Sequence, residues 1–192
     1  AYSIWLSCEN HIVAAFKLED PRRQDSKQLI DSFKQQGIKV TMLTGDNSIH
    51  AQRVAKQLNI DNLHANMTPM NKLNFLNKIP ATDVSLMIGD GINDAPILAG
   101  SHLSIALSSG TDIAKSSADM VLLGNNLLSI ITARQLALRT RNIIRENLAW
   151  ALGYNLIILP LAVAGLVTPY IAVIGMSASS IIVVSNSLRL LR

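Results

Sequence analysis

The sequence predicts an α/β domain built on a parallel sheet, followed by a hairpin of two membrane-spanning helices. Two observations predict this architecture. Between residues 26 and 123, short apolar runs alternate with amphipathic helical stretches, an order typical of a parallel sheet covered by helices on both faces. Two runs without a charged residue follow, at 147–167 and 170–188. Each is close to the roughly 20 residues that cross a hydrocarbon core.

The first segment, residues 1–17, predicts a β-hairpin. Two apolar-rich runs, 3–7 and 11–16, flank Glu9 and Asn10, which suit a tight turn. A hairpin this short is only marginally stable alone. We therefore expect it to pair with chain outside this sequence or with the domain that follows.

The pattern of residues 26–123 predicts the following helices and strands. An amphipathic helix at 26–36 places Leu29, Ile30 and Phe33 on one side, and Gly37 suits its C-terminal cap. The other predicted helices lie at 48–58, 69–79 and 95–100, with a helical turn at 112–117. The predicted strands lie at 38–43, 84–88, 103–107 and 120–123, and 60–66 is predicted as a short strand and loop. The apolar run at 84–88 is typical of a buried strand.

The most informative motif follows the strand at 84–88. It reads Gly-Asp-Gly-Ile-Asn-Asp-Ala-Pro, with Asp90 and Asp94 four positions apart around Asn93. Two carboxylates and an amide at the carboxyl end of a strand suit Mg2+, which prefers oxygen ligands and usually holds one or two carboxylates. The alternative is a polar turn whose side chains bond their own backbone. The length and composition of the motif favour the metal site.

This motif resembles the hinge motif of P-type ATPases, whose phosphorylation domain belongs to the haloacid-dehalogenase-like superfamily. Two further stretches match in the same order. They are Thr44-Gly45-Asp46, after the strand at 38–43, and the lysine of Thr-Pro-Met-Asn-Lys, which is Lys72. Asn71 departs from the family pattern, which has an acid before the lysine. Alone, Lys72 would be interpreted as a solvated helix lysine, but its order and spacing relative to the other motifs favour a role in the site.

The resemblance implies phosphoryl transfer at the carboxyl edge of the sheet. Thr44 would donate a hydrogen bond to a phosphoryl oxygen, and Gly45 would let the backbone come close. Lys72 would place a positive charge against the negative charge that develops during transfer. Asp46 and Lys72 are the expected contacts on the side of the bound ATP.

By the same resemblance, Asp90 would hold Mg2+, while Asn93 and Asp94 would complete its shell or bond the phosphoryl group. The family's phosphorylated aspartate lies in an Asp-Lys-Thr-Gly-Thr loop that this sequence does not contain. The actuator motif Thr-Gly-Glu and the intramembrane Cys-Pro-Cys do not occur in it either. We therefore expect the chain to be the C-terminal part of a pump, unable by itself to be phosphorylated or to transport.

Charge and cysteine content disfavour several other classes of protein. The net charge of +4 is concentrated from Arg134 onward, where six arginines and one glutamate lie beside apolar segments with few aromatic residues. This differs from the footprint of a nucleic-acid-binding domain, so no nucleic-acid partner is expected. Cys8 is the only cysteine, which excludes a disulfide framework and a cysteine metal cluster within the chain.

The apolar runs predict transmembrane helices at 147–167 and 170–188, preceded by a stalk helix at 126–146 and joined at Thr168-Pro169. The alternative, a core hairpin of a soluble protein, is disfavoured by the length of the runs. Arginines flank both outer ends, and the connection has none. The positive-inside rule therefore predicts that both ends lie in the cytoplasm. The expected location is that of a multi-pass protein of the bacterial inner membrane. Pro160 should kink the first span.

Polar residues within the spans are informative because lipid makes them costly. Tyr154 and Asn155 lie in the middle of the first span, and Met176 and Ser180 share one face of the second. A thioether suits Cu(I). The alternative is a packing face of small residues at 175 and 177–180, with Asn155 bonding between helices. The Tyr-Asn and Met-x-x-Ser-Ser patterns resemble the copper(I) branch of P-type ATPases, which implies that these four residues line the path of transported Cu(I).

The predicted organisation is the end of a nucleotide-binding domain (1–17), a haloacid-dehalogenase-like phosphorylation domain (18–125), a stalk and two spans. The implied function is ATP-driven movement of Cu(I) out of the cytosol through an aspartyl-phosphate intermediate. The sequence at 186–190 also resembles the branch that supplies copper to cbb3-type cytochrome oxidase. Implied partners are membrane lipid, the actuator domain, nucleotide domain and other helices of the same pump, and a copper chaperone or oxidase assembly factors.

Two other functions remain open at this point. One is a membrane-tethered phosphatase of the same superfamily, and the other is a non-catalytic, truncated membrane fragment. Zinc or cobalt is the rival cargo within the pump interpretation. Those branches would be expected to carry a charged residue in the last spans, and neither 147–167 nor 170–188 contains one.

Overall fold

The structure, a computed structural model, describes residues 2–9, 11–18, 23–90 and 92–191. Gly91 of the polar motif lies outside the described residues. The chain divides into two compact units, Ala1–Ile131 and Thr132–Arg192.

The first unit begins with a β-hairpin, as predicted. Strands β1 (Tyr2–Cys8) and β2 (His11–Leu18) pair in antiparallel fashion, with a shift of register between Leu6 and Ser7. Ile4, Trp5 and Leu6 are each more than half exposed. Because side chains alternate between faces along a strand, neither face of the hairpin is covered by the described part of the chain. Its pairing with further chain stays a prediction.

The next segment alternates helices and strands. The helices are α1 (Ser26–Gln35), α2 (Ser48–Gln57), α3 (Pro69–Leu76), α4 (Ala95–Gly100) and α5 (Asp112–Ser117). The strands are β3 (Thr41–Leu43), β4 (Asn62–His64), β5 (Leu86–Gly89), β6 (Leu103–Leu107) and β7 (Met120–Leu122). They form two parallel sheets, β3-β4 and β5-β6-β7. The predicted parallel α/β fold is confirmed.

One core lies against both sheets. Leu29 and Phe33 of α1 are buried with Ile105 of β6, and Val40, just before β3, and Ile88 of β5 pack against the same cluster. Burying side chains of this size stabilises the fold by about 1.5–3 kcal/mol each. The shared core therefore holds the carboxyl ends of β3 and β5 in one compact unit.

Gly37 ends α1 as the sequence predicts. Its φ is +73°, the left-handed region that favours glycine. The backbone N–H of Gly37 donates to the carbonyl of Lys34 at 2.9 Å, and that of Ile38 donates to Phe33 at 3.0 Å, the bonding pattern of a glycine C-cap. Because Ile38 still serves this cap, β3 begins only at Thr41, three residues later than predicted.

The prediction that the strand at 84–88 is buried is wrong. Strand β5 begins at Leu86, which is 39% exposed, and Val84 is 83% exposed. Among the described strands, β5 pairs only with β6, and β3 only with β4. One edge of each strand is therefore open, which explains why an apolar run typical of a buried strand lies near the surface.

Helix α6 (Ser129–Val163) begins at the end of the first unit and continues through the second. The predicted stalk and first span form this single helix because neither glycine nor proline interrupts residues 129–152. The helix ends four residues earlier than predicted. Gly165 has a φ of +73°, and the N–H of Leu166 donates to the carbonyl of Leu161 at 3.0 Å. This is again a glycine C-cap.

Helix α7 (Pro169–Ser187) completes the second unit, and a 3-10 turn, Leu188–Leu191, follows it. Thr168 caps α7 by accepting a hydrogen bond from the backbone of Ile171, and Pro169 occupies the first turn, where a missing N–H costs nothing. Within the described residues, two helices are long and apolar enough to cross a membrane, with mean hydropathies of 1.3 and 1.8. The predicted pair of apolar helices is confirmed.

Candidate functional site

Lys72 and Asp94 form an ion pair that is mostly closed to solvent. Helix α3 begins after Thr68, whose side chain accepts a hydrogen bond from the backbone of Asn71. Lys72 therefore lies in the first turn, and its Nζ is 2.6 Å from Oδ1 of Asp94. The two side chains are 11% and 16% exposed. A charge-assisted bond of this kind fixes the ammonium group at the end of β5, 22 residues further along the chain.

The backbone of Asp90 is held by the turn after β6. Its carbonyl accepts a hydrogen bond from the N–H of Thr111 at 3.0 Å. A Cβ at Gly110 would lie 2.7 Å from that carbonyl oxygen and 2.9 Å from the carbonyl of Leu107. Only glycine fits there without a backbone shift. The turn at 108–111 therefore positions Asp90, although no motif in the sequence identified it.

We expect Gly110→Ala to destabilise the first unit by about 1–3 kcal/mol, the cost typical of forced overpacking. The added methyl group would meet two backbone carbonyls, which cannot move as a flexible side chain does. Chemical unfolding measures the loss. Gly124→Ala is the control, since nothing lies within 4 Å of a Cβ there. Equal losses in the two variants would contradict the role given to Gly110.

The Thr44-Gly45-Asp46 motif forms a turn at the end of β3. The backbone N–H of Asp46 donates to Oγ1 of Thr44 at 3.1 Å, which leaves the hydroxyl hydrogen of Thr44 for another acceptor. The carbonyl of Thr44 accepts from the N–H of Met67 at 2.9 Å, in the loop just before α3. The Asp46 carboxylate lies 3.4 Å from Nδ1 of His50. The loop that leads into α3, the helix of Lys72, is thus bonded to the turn that carries Thr44.

The polar end of β5 has the donor set that Mg2+ prefers. Asp90 and Asn93 are exposed, and within the described residues no ion pair involves Asp90. Asp94 is different, because its Oδ1 bonds Lys72 and its Oδ2 lies 3.2 Å from where a Cβ of Gly89 would be. No group of three or more His, Cys, Asp or Glu residues clusters in the described chain. One or two carboxylates with an amide suit Mg2+, so Asp90 is the residue that would hold it.

In the second unit, the two helices meet along a seam of aromatic and small residues. Nε1 of Trp150 donates to Oγ of Ser179 at 3.1 Å. One helical turn further along α6, Oη of Tyr154 lies 2.5 Å from the position of a Cβ on Gly175. Sequence reasoning found Tyr154, but it did not predict the roles of Trp150 and Ser179.

Of the residues predicted to bind copper, Tyr154 lies in this seam, whereas Met176 and Ser180 lie on the exposed surface. Met176 is 66% exposed, and Ser180 is also exposed. Nδ2 of Asn155 donates to the carbonyl of Ala151 within α6 at 2.9 Å, so its amide oxygen is the group left for a ligand. The helix pair therefore presents Met176 and Ser180 on an open face of α7, beside the seam that holds Tyr154.

The comparison with known families agrees with this geometry. The model of the haloacid dehalogenase-like hydrolases matches residues 3–102, just over half of the chain. The chain belongs to the haloacid dehalogenase-like hydrolase family. The match ends after Asn93 and Asp94, so it includes every residue proposed for the phosphoryl site of this haloacid dehalogenase-like domain.

Curated relatives point to one branch of ATP-driven pumps. The chain is 41% identical over 192 residues to a probable copper-importing P-type ATPase A of Enterococcus hirae, covering 98% of this chain and 26% of that protein. It is 40% identical over 181 residues to a probable copper-exporting P-type ATPase of Archaeoglobus fulgidus, covering 90% of this chain and 22% of that protein. The chain thus spans about a quarter of the length of these relatives.

A solved structure extends the similarity to both units. The fold is similar to that of a zinc-transporting PIB-type ATPase in its E2.Pi state, with a TM-score of 0.88 and 32% identity, covering 99% of this chain and 31% of that chain. The predicted resemblance to heavy-metal P-type ATPases is confirmed. The predicted roles of the individual site residues remain predictions.

Proposed function

We propose that this chain is part of an ATP-driven pump that moves Cu(I) out of the cytosol through an aspartyl-phosphate on another part of the same protein. The observation that carries this proposal is the ion pair of Lys72 and Asp94 at the end of β5, in a chain that continues into two apolar helices. Polar residues suited to phosphoryl transfer and two helices able to cross a membrane occur in one chain. This combination favours a pump more strongly than either feature would alone.

The open edges of β3 and β5 suit a further strand. Of the described strands, these two are followed by Thr44 and Asp90, and each has one edge without a described partner. We propose that a strand from elsewhere in the pump pairs there, because unpaired backbone groups on an exposed edge favour such pairing. The phosphorylated aspartate that the family resemblance implies would then follow this strand, between Thr44 and Asp90.

The residues of this chain would divide the work of phosphoryl transfer. Bound Mg2+ supplies positive charge to the phosphoryl oxygens, and Asp90, with Asn93, would hold it. Lys72 would neutralise charge on the phosphoryl group, with Asp94 fixing the position of its Nζ. Thr44 would donate its free hydroxyl hydrogen to a phosphoryl oxygen, and Asp46 would face the nucleotide side.

The choice of Cu(I) depends on the second unit. The relatives' own descriptions name copper in two cases and zinc in a third. A thioether is a soft ligand that favours Cu(I) over Zn(II), and Met176 presents one on the open face of α7. The spans themselves carry no charged residue to pair with a divalent cargo. We also propose that both ends of the hairpin face the cytoplasm, since the arginines flank its outer ends.

Cargo identity can be tested in the full-length pump reconstituted in lipid vesicles. We expect ATP hydrolysis to be stimulated by Cu(I) and not by Zn(II). Met176→Leu keeps the volume and removes the sulfur, so it should lower Cu(I)-stimulated turnover about tenfold while unstimulated hydrolysis stays constant. Met120→Leu, in a strand of the first unit, is the control. Copper stimulation at the wild-type level in Met176→Leu would remove this residue from the path.

A further inference from the structure

Gly175 forms a notch in α7 that accommodates the Tyr154 hydroxyl. An ideal Cβ on Gly175 would lie 2.5 Å from Oη of Tyr154, closer than real Cβ contacts come. The ring atoms Cζ and Cε2 would be 3.5 and 3.6 Å away, which is ordinary contact. Of the three atoms, the hydroxyl oxygen is therefore the one that a side chain at this position would have to displace.

The hydroxyl in this notch is closed to solvent and has no hydrogen-bond partner among the described residues. A buried polar group without a partner costs free energy, and such groups concentrate where a ligand or another function supplies the partner. Trp150, one turn earlier on the same face of α6, does find its partner in Ser179. The seam thus satisfies one aromatic polar group and leaves the other free, directly beside the residue that precedes Met176.

We propose that Gly175 is a positioning residue of the metal path: its missing side chain leaves room for the free Tyr154 hydroxyl against α7, at the residue that precedes Met176. This inference relies on the proposed function for its link to Cu(I), but the fit of hydroxyl to notch does not. A side chain at position 175 would push Oη away by close to the difference between 2.5 Å and an ordinary contact. The hydroxyl would then lose its position against α7 at the residue that precedes Met176.

The test uses the full-length pump with alanine at position 175. Gly175→Ala should lower the thermal midpoint of the solubilised pump and raise the Cu(I) concentration for half-maximal turnover about tenfold or more, since a misplacement of about 1 Å can cost up to about a hundredfold. Gly153→Ala is the matched control, because nothing lies within 4 Å of a Cβ there. That variant should leave the copper dependence unchanged and, because alanine is favoured over glycine inside a helix, it should not lower the thermal midpoint.

The Tyr154→Phe variant tests whether the effect of Gly175→Ala depends on the Tyr154 hydroxyl. It removes only the oxygen that meets the added methyl group, so Gly175→Ala should no longer lower the thermal midpoint when combined with it. An equal drop in the thermal midpoint in the wild-type and Tyr154→Phe backgrounds, or no drop in the wild-type background, would contradict the steric fit between the Tyr154 hydroxyl and Gly175. If the thermal coupling is found in a pump that Cu(I) does not stimulate, the proposed function fails, and with it the copper part of this inference, while the steric fit stands.

Discussion

Asp90→Asn is expected to abolish Mg2+-dependent formation of the phosphorylated intermediate in the full-length pump. The carboxylate is exposed at the end of β5 and is held in place through its own backbone by Thr111. Asparagine preserves the shape and removes the charge that would hold the cation. Because a bound cation would neutralise the transferred phosphoryl group, the rate of transfer from ATP should fall by at least about a thousandfold. Acid-stable incorporation of labelled phosphate measures it.

A second aspartate provides the control for this change. Asp83 is exposed just before β5, and its carboxylate accepts a bond from Thr82. Asp83→Asn makes the same chemical change at the other end of the same strand and should leave phosphorylation intact. Full labelling in Asp90→Asn, at any concentration of Mg2+, would refute the metal role of Asp90.

Lys72→Met is expected to have two separate effects. Turnover should fall about 100- to 1,000-fold, the usual cost of removing one group that stabilises developing charge. The first unit should also lose about 3 kcal/mol of stability, because Asp94, only 16% exposed, would be left without its partner. ATP hydrolysis and chemical unfolding measure the two effects independently.

The double variant Lys72→Met with Asp94→Asn separates these effects. Neutralising both partners removes the unpaired charge, so most of the stability should return while turnover stays low. Lys34→Met is the control for loss of a lysine, since the Lys34–Asp61 pair is 29% and 71% exposed and should contribute at most about 1 kcal/mol. Recovery of turnover in the double variant would show that Lys72 serves stability alone.

Much of the fold follows from local patterns in the sequence. The alternation of apolar and amphipathic runs predicts the order of α1 to α5 and β3 to β7, and Gly37 marks the end of α1. The pairing of Lys72 with Asp94 agrees with the placement of both motifs at one sheet edge, because chain segments that end at the carboxyl edge of parallel strands meet there.

Other features depend on contacts that no local pattern records. The exposure of Val84 reflects an edge of β5 without a described partner, whereas its apolar sequence is that of a buried strand. The close approach of Gly110 to Asp90 depends on the pairing of β5 with β6. A polar turn at 108–111, after a strand, is nevertheless a sequence signal that would have directed attention to it. Similarly, the separation of Met176 from the seam depends on how α7 is rotated against α6.

The bonds between α6 and α7 are concentrated at one end of the hairpin. Asn147 donates to Ser187 at 3.0 Å and accepts from Asn186 at 2.9 Å, and Arg189 pairs with Glu146 at 2.9 Å. Beyond Tyr154, the described residues add no such bond between the helices. Sliding one helix lengthwise past the other would break all of these bonds, and at the opposite end the short connection 164–168 joins the two helices covalently. The hairpin is therefore fastened at both ends, so a pull along α6 carries α7 with it.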